Sequence, residues 1–591
     1  MHLSKKQGGK IKMNKKWVVK SALALATALM VAGTVTNSVT AAKLPLEYNN
    51  HKKAKKGGTL RVAYASEGVF KGVFADMLRV DGPTADVSQF GDYSLFRVNN
   101  DFTYAKGGLA NVAFDYKQKT ATVKINKKTR WSDGHPVEAK DMEYTYEVVS
   151  NKDVNSAGYN KYRNIVGVEE YHTGKADKIS GLEVKDEKTL VIHFKEMKPE
   201  MKFPGSGYVI GKVMPYHYLK GIPFDQLASS DKLQKDPLFY GPFKIKNMVK
   251  GESIEWVPNK YYGGKKPNLA KITVEMVNPS HATEAMRANK YDVLLNESPE
   301  VYNKVRKLSQ YVVLGKKERY YYYLGFKVGH FKDGVNVMDR KTPVQDKALR
   351  QAMGYALNMN QMTKKFGYGL NYRANTIVPD VFGKYSDHKL KGYYLNLKKA
   401  NKLLDQAGYK MQKNGYRTLP NGKPFTLKLL APVSTDSANN RTAIESYLQQ
   451  WKKIGVKVKL KDSRLQEFNS YIEQLTKDGE GYDVYLSNWS VTSVPTTSIA
   501  GTYLPNNPYN LSHFVTKENT ELLESLSSKE AFNTNYQIKQ FYKWQAYMNQ
   551  EAYIVPLRFR YETKVFSKKL TNVSLGTAKS DTLWEDIAFT E

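Results

Sequence analysis

Residues 131–146, WSDGHPVEAKDMEYTY, place Asp133, His135, Glu138, Asp141 and Glu143 within eleven positions. Carboxylates crowded around an imidazole are the raw material of general acid–base catalysis and of hard metal sites. The same residues also read as the start of a helix. Asp133-Gly134 is a turn pair, and Pro136 keeps His135 out of the helical region. From about Ala139 a helix is expected, with Met142, Tyr146 and Val149 on one face. Asp141 and Glu143 then fall near its N-terminus, where negative charge complements the helix dipole. Trp131 is expected to plug the core beside the turn. Helix-start chemistry thus accounts for the acids without an active site.

Other catalytic spacings are missing. An exported hydrolase is the main enzyme alternative, yet the chain has no G-x-S-x-G elbow. GSGYVIG, residues 205–211, resembles a nucleotide loop, but its spacing is wrong and Pro215 follows where a helix should start. The ten histidines are scattered and form no H-E-x-x-H, so a zinc site lacks support. No cofactor is expected. The absence of cysteine excludes disulfides, thiolate metal ligands, a Cys nucleophile and a lipid-modified cysteine anchor.

At 591 residues the chain is long enough for three or four compact units of the usual size, roughly 100–200 residues. The 42 tyrosines each pair a flat apolar face with a polar tip, which suits wettable clefts as well as cores. Lys15, Lys16 and Lys20 precede the apolar run Ser21 to Val35, and small residues around Ala41 and Ala42 fit signal-peptidase cleavage. Residues 1–42 are therefore expected to be an export signal, with Met13 as an alternative start. Retention of this segment as an anchor is the rival reading. Seven lysines and no acid lie in those residues, so +27 of the net charge of +34 belongs to the rest of the chain. The lysines are spread along the chain rather than gathered in a stripe, so nucleic acid is not the expected partner. For an exported protein an anionic Gram-positive cell wall is the better electrostatic match.

Periodicity gives the elements that carry these residues. TLRVAYA from Thr59 alternates as a strand, and residues 110–130 read as a hairpin turning at Lys117–Lys119. Strand, turn at Lys250-Gly251, strand, and a further strand follow across Tyr240 to Val277. A helix from His281 delivers a strand at Val293, and Arg319 to Val328 is extended and aromatic. Asp346 to Met362 reads as one helix, and Asn396 to Tyr409 as another closed by Gly408. A helix with Ile444, Tyr447, Leu448 and Trp451 inward leads to a strand from Val456, and YDVYLSNWS is a strand reaching Trp489. This alternation predicts an α/β unit with a largely parallel sheet.

In their order these segments resemble the extracytoplasmic oligopeptide-binding proteins of peptide ABC transporters, solute-binding protein family 5. The blocks that carry the likeness are WSDGHPVEAKDMEYTY, YGPFKIKN with KGESIEWVPNKYYGGKKP, DKALRQAMGYALN, and ANKLLDQAGY with IGVKVKLK. The likeness covers nearly all of residues 57–591 and is strongest to the oligopeptide binders of lactobacilli. It implies a two-lobed periplasmic-binding-protein-like α/β fold (type II, cluster C) with an extra domain inserted in the first lobe. The implied division is 43–95, 205–315 and 551–591 for lobe I, 96–204 for the inserted domain and 316–550 for lobe II. It further implies a monomer that binds oligopeptides, docks on ABC permease subunits and does no chemistry. By alignment Asn488, Trp489, Ser490 and Val491 are the candidate peptide contacts, with Ser88 and Gln89 from the first lobe. Many relatives carry an Asp where Thr492 stands, and a threonine cannot neutralise the ammonium of a peptide N-terminus. An adhesin held to the surface by its basic charge is the alternative function.

Overall fold

The computed structural model describes residues 44–79, 81–154, 159–433, 439–576 and 582–591. The expected export signal, residues 1–42, and the alternative start at Met13 lie outside them. No helix among the described residues is long and apolar enough to cross a membrane.

Strand Thr59–Ala65 is the centre of a first sheet. It runs parallel to Lys271–Val277 on one side and Val293–Leu295 on the other. The hairpin Phe243–Val249 and Ser253–Pro258 extends the sheet in antiparallel fashion. Its turn works because Gly251 adopts φ +80°, a left-handed value that costs only glycine nothing. One face packs on Phe90, Trp256 and Trp584. The other packs on Met286 and Val301, from helices Pro279–Arg287 and Pro299–Val305.

A second sheet orders Tyr320–Phe326, Val484–Ser490, Leu427–Leu430 and Val458–Leu460. Only Leu427–Leu430 is parallel to its neighbours, so the expectation of a largely parallel sheet needs correcting. Helices Asn440–Lys452 and Phe468–Thr476 return the chain in one direction for those strands. Tyr320–Phe326 has no such crossover to its partners and runs antiparallel to both.

The strand Ile554–Ser567, 14 residues long, belongs to both sheets. Its first half pairs with Tyr320–Phe326 and Asn371–Arg373, its second with Tyr311–Lys317 and Val293–Leu295. Tyr311–Lys317 continues into Tyr320–Phe326 after only Glu318 and Arg319. Two neighbouring antiparallel strands thus carry the chain between the halves.

A third sheet, Ala110–Asp115, Thr120–Ile125, Thr189–His193 and Leu182–Asp186, is antiparallel throughout. Helix Ala139–Ser150 buries Met142, Tyr146 and Val149 against it. Here the acidic stretch finds its use. Asp141 Oδ2 accepts the Trp131 indole N–H and the Glu138 N–H, both at 2.9 Å, and Oδ1 accepts the Tyr216 N–H at 2.8 Å. One carboxylate therefore fastens the turn, the helix start and the segment 216–219. His135 stacks on His217 at 3.8 Å, and His217 Nε2 lies 2.7 Å from Asp133 Oδ2.

This third layer touches the second half directly. Phe102 meets Phe382 at 5.1 Å, and Lys202 Nζ donates to the Thr534 hydroxyl at 2.9 Å. One expected helix is in fact two, Lys347–Tyr355 and Met359–Gly367. The break follows from Asn358, whose side chain accepts the Gln361 N–H and so starts a new helix.

Candidate functional site

Strand Val484–Ser490 forms one wall of a cavity of about 580 Å³. Leu486 and Asn488 line it, and so does Tyr322, which stands opposite Asn488 across the ladder. Helix Met359–Gly367 contributes Met359 and Phe366, helix Asn440–Lys452 contributes Ile444 and Tyr447, and helix Phe468–Thr476 contributes Phe468 and Ile472. Phe468 is 55% exposed and Ile472 39%. Large apolar side chains left open on a concave wall mark a surface for a ligand. Pro299 brings the first half of the molecule to the same cavity.

The main chain offers a second feature. Leu427–Leu430 pairs with Val484 and Tyr485 and goes no further. Among the described residues, 486–490 therefore have a strand partner on the Tyr320–Phe326 side and none on the other, although the Leu486 carbonyl accepts the Tyr471 hydroxyl. An unpaired strand edge presents N–H and C=O groups ready for another extended chain.

The shared strand supplies the charge. Arg558 and Arg560 line the cavity, and Arg560 Nε lies 3.4 Å from Glu318 Oε1. Tyr322 donates to Glu318 Oε2 at 3.3 Å. Burial pushes the Glu318 carboxyl above its ordinary range, while Arg560 and Arg558 pull it down. Glu297, buried nearby, is pushed up to about 7 by burial, with the Thr563 hydroxyl and Arg560 acting in the opposite sense. Among the described residues no group of three or more His, Asp or Glu could hold a metal ion.

The residues singled out in the sequence divide between these surroundings. Asn488 lines the cavity, and Ser490 is exposed at the end of the same strand. Trp489 does not line it: its backbone pairs with Tyr321 across the ladder, and its indole packs 5.5 Å from the Tyr509 ring. Val491 is 1% exposed, and its N–H already donates to the Arg319 carbonyl at 2.7 Å. That side chain belongs to the core and offers a ligand nothing. Thr492 is exposed, with its N–H given to the Ser498 hydroxyl at 3.0 Å. Ser88 is buried, and its hydroxyl donates to the Ala85 carbonyl at 2.9 Å in its own helix, Gly82–Ser88. Gln89 Oε1 accepts Lys564 Nζ at 3.0 Å, which ties it to the shared strand.

Sequence reading missed Tyr322, Arg558 and Arg560. A signal was present: in LRFRYETK, residues 557–564, a charge recurs at every second position. In a strand that spacing sends all the charges to one face, and a charged face on a strand with apolar alternates marks a polar wall.

Residues 109–510 match the model of a family described as bacterial extracellular solute-binding proteins, family 5 Middle. The oligopeptide-binding protein OppA of Lactococcus lactis subsp. lactis is 39% identical over 96% of this chain and 97% of its own. The structure of lactococcal OppA, complexed with an endogenous peptide in the closed conformation, is similar with a TM-score of 0.78, at 39% identity, covering 90% of this chain and 100% of that one. NikA from Brucella suis, in complex with Fe(III)-EDTA, has the same two-lobed fold at a TM-score of 0.73 and 18% identity, covering 90% of this chain and 100% of its own. The fold alone therefore does not fix the ligand.

Proposed function

The chain belongs to the bacterial extracellular solute-binding proteins of family 5, and from that premise we propose that it captures extracellular oligopeptides and hands them to an ABC permease. The observation that carries this reading is the open edge of residues 486–490 running beside the cavity. A peptide laid there pairs its main chain as an added strand, which is independent of its sequence. Its side chains enter the cavity, whose walls are mixed apolar and polar, and water fills the remaining space. Asn488 and Ser490 are the side chains placed to touch it, and Thr492 leaves the peptide amine without a carboxylate at that position.

In this reading the two strands that pass between the halves act as the hinge, with lobe I formed by 43–95, 205–315 and 551–591, the inserted domain by 96–204 and lobe II by 316–550. Closure presents a surface to the permease, and no bond is broken, so the protein is not an enzyme. It works as a monomer on the outer face of the cell, and its +27 charge beyond residue 42 retains it on anionic wall polymers. The reading as an adhesin gains no support from the relatives, whose shared property is solute binding.

The test is calorimetry and small-angle scattering with a random oligopeptide pool. Heat on mixing together with a smaller radius of gyration is expected. Neither heat nor compaction would end the proposal.

A further inference from the structure

Arg558 is a cavity charge that forms no ion pair among the described residues, and Glu318 acts on it only at longer range. Its guanidinium stacks on Tyr322, 3.5 Å from the ring centroid, and one N–H donates to Asn371 Oδ1 at 3.2 Å. The Tyr322 hydroxyl is its other partner, and that hydroxyl is itself spent on Glu318. Arg560 is the guanidinium that pairs with Glu318; Arg558 makes no ion pair among the described residues. No other residue lining the cavity can serve. Apart from these two arginines the lining is apolar, hydroxyl or amide among the described residues, with no Asp or Glu. Glu300 stands outside the lining and accepts the Asn439 amide at 3.0 Å.

A guanidinium has five N–H donors in a rigid fork that matches a carboxylate. Held by a ring and one amide, Arg558 keeps most of that fork unspent and has no directly paired carboxylate among the described residues. Arg558 is half-buried, so an ion pair formed there is stronger than one in open water. We infer that Arg558 is the seat for a ligand carboxylate. This rests on the peptide-binding reading, in which the carboxylate is either the peptide's C-terminus or an acidic side chain. The same charge repels lysine and arginine side chains, so the cavity selects against basic residues.

The experiment titrates one short Leu/Ala peptide in three forms, as the free acid, as the C-terminal amide, and as the amide carrying one internal Glu. The free acid, the Glu-containing amide, or both are expected to bind about tenfold tighter than the plain amide, the gain of one charge-assisted contact. Which of them gains identifies the source of the carboxylate. In Arg558→Gln the preference for the carboxylate-bearing forms is expected to vanish, and in Arg558→Lys to shrink. Equal binding of all three forms to the unaltered protein overturns the inference and leaves peptide capture standing. So does an Arg558→Gln variant that weakens every form alike, because the side chain is then structural. No binding of any form removes both readings.

Discussion

Glu297 is 3% exposed behind the cavity, and its carboxyl is pushed up to about 7. Below about pH 4.5 the group is protonated whether the chain is folded or not, and it costs nothing. Between about 4.5 and 7 the folded state holds a proton that the unfolded chain has released, so stability falls as pH rises. Above 7 the full cost of a buried charge is felt, about 3 kcal/mol at roughly 1.4 kcal/mol per pH unit. Glu297→Gln keeps the shape without the charge. It is expected to be more stable than the natural chain at pH 8 and equal to it at pH 4, read from denaturant midpoints. An identical difference at both pH values would show that charge is not the cause. Thr492 makes a second residue-scale expectation. Thr492→Asp places an acid where the family resemblance leads one to expect it. It should favour peptides with a free amine over N-acetylated ones by a few fold, and an unchanged ratio would mean that this position does not meet the peptide terminus. Of the seven residues chosen from sequence, Asn488 lines the cavity while the side chains of Val491 and Ser88 are buried, because alignment says where the backbone runs and not which way a side chain is spent.

Gly205 shows what an element boundary can demand. It lies at the start of the segment after the inserted layer, and a Cβ added there would run into the Ser493 hydroxyl and lie 2.9 Å from the Ser493 backbone nitrogen. Ser493 follows Thr492 in the loop that leaves strand Val484–Ser490. The contact joins the two halves, so Gly205→Ala is expected to block full closure with little effect on either core. Scattering should show less compaction with peptide, and affinity should drop severalfold; unaltered compaction would show that the loop yields. The helix expected over residues 346–362 illustrates the limits of periodicity. Leu349, Ala352, Met353 and Ala356 are all buried as that pattern requires, yet the helix ends at Tyr355. A capping asparagine outweighs a continuous apolar face because satisfying loose N–H groups at a fresh helix start is worth about 1 kcal/mol.

At the scale of the molecule, charge and hinge act independently. In the proposed reading the excess of 27 positive charges beyond residue 42 holds the protein on an anionic wall by long-range attraction, which salt screens. Washing cell envelopes with about 1 M salt, where the Debye length is about 3 Å, is expected to release the protein. Retention unchanged by salt would point to a covalent or apolar anchor. The hinge depends on neither charge nor cavity. Because Ile554–Ser567 pairs with strands of both sheets, rotation between the halves bends a continuous hydrogen-bonded ribbon instead of breaking a core.

Sequence alone fixed the local elements. Thr59–Ala65, Val484–Ser490 and helix Ala139–Ser150 are where alternation, turn residues and helix-start chemistry put them, because those preferences act over a few neighbouring residues. It also fixed the family, through ordered blocks spread across the chain. The site was decided by tertiary structure. Tyr322, Arg558 and Asn488 are separated by more than 150 residues on one side and about 70 on the other, and meet because the shared strand brings residue 558 beside residue 322. Whether a charge in such a place is paired, as Arg560 is, or left for a ligand, as Arg558 is, depends on three-dimensional neighbours that no window of sequence contains.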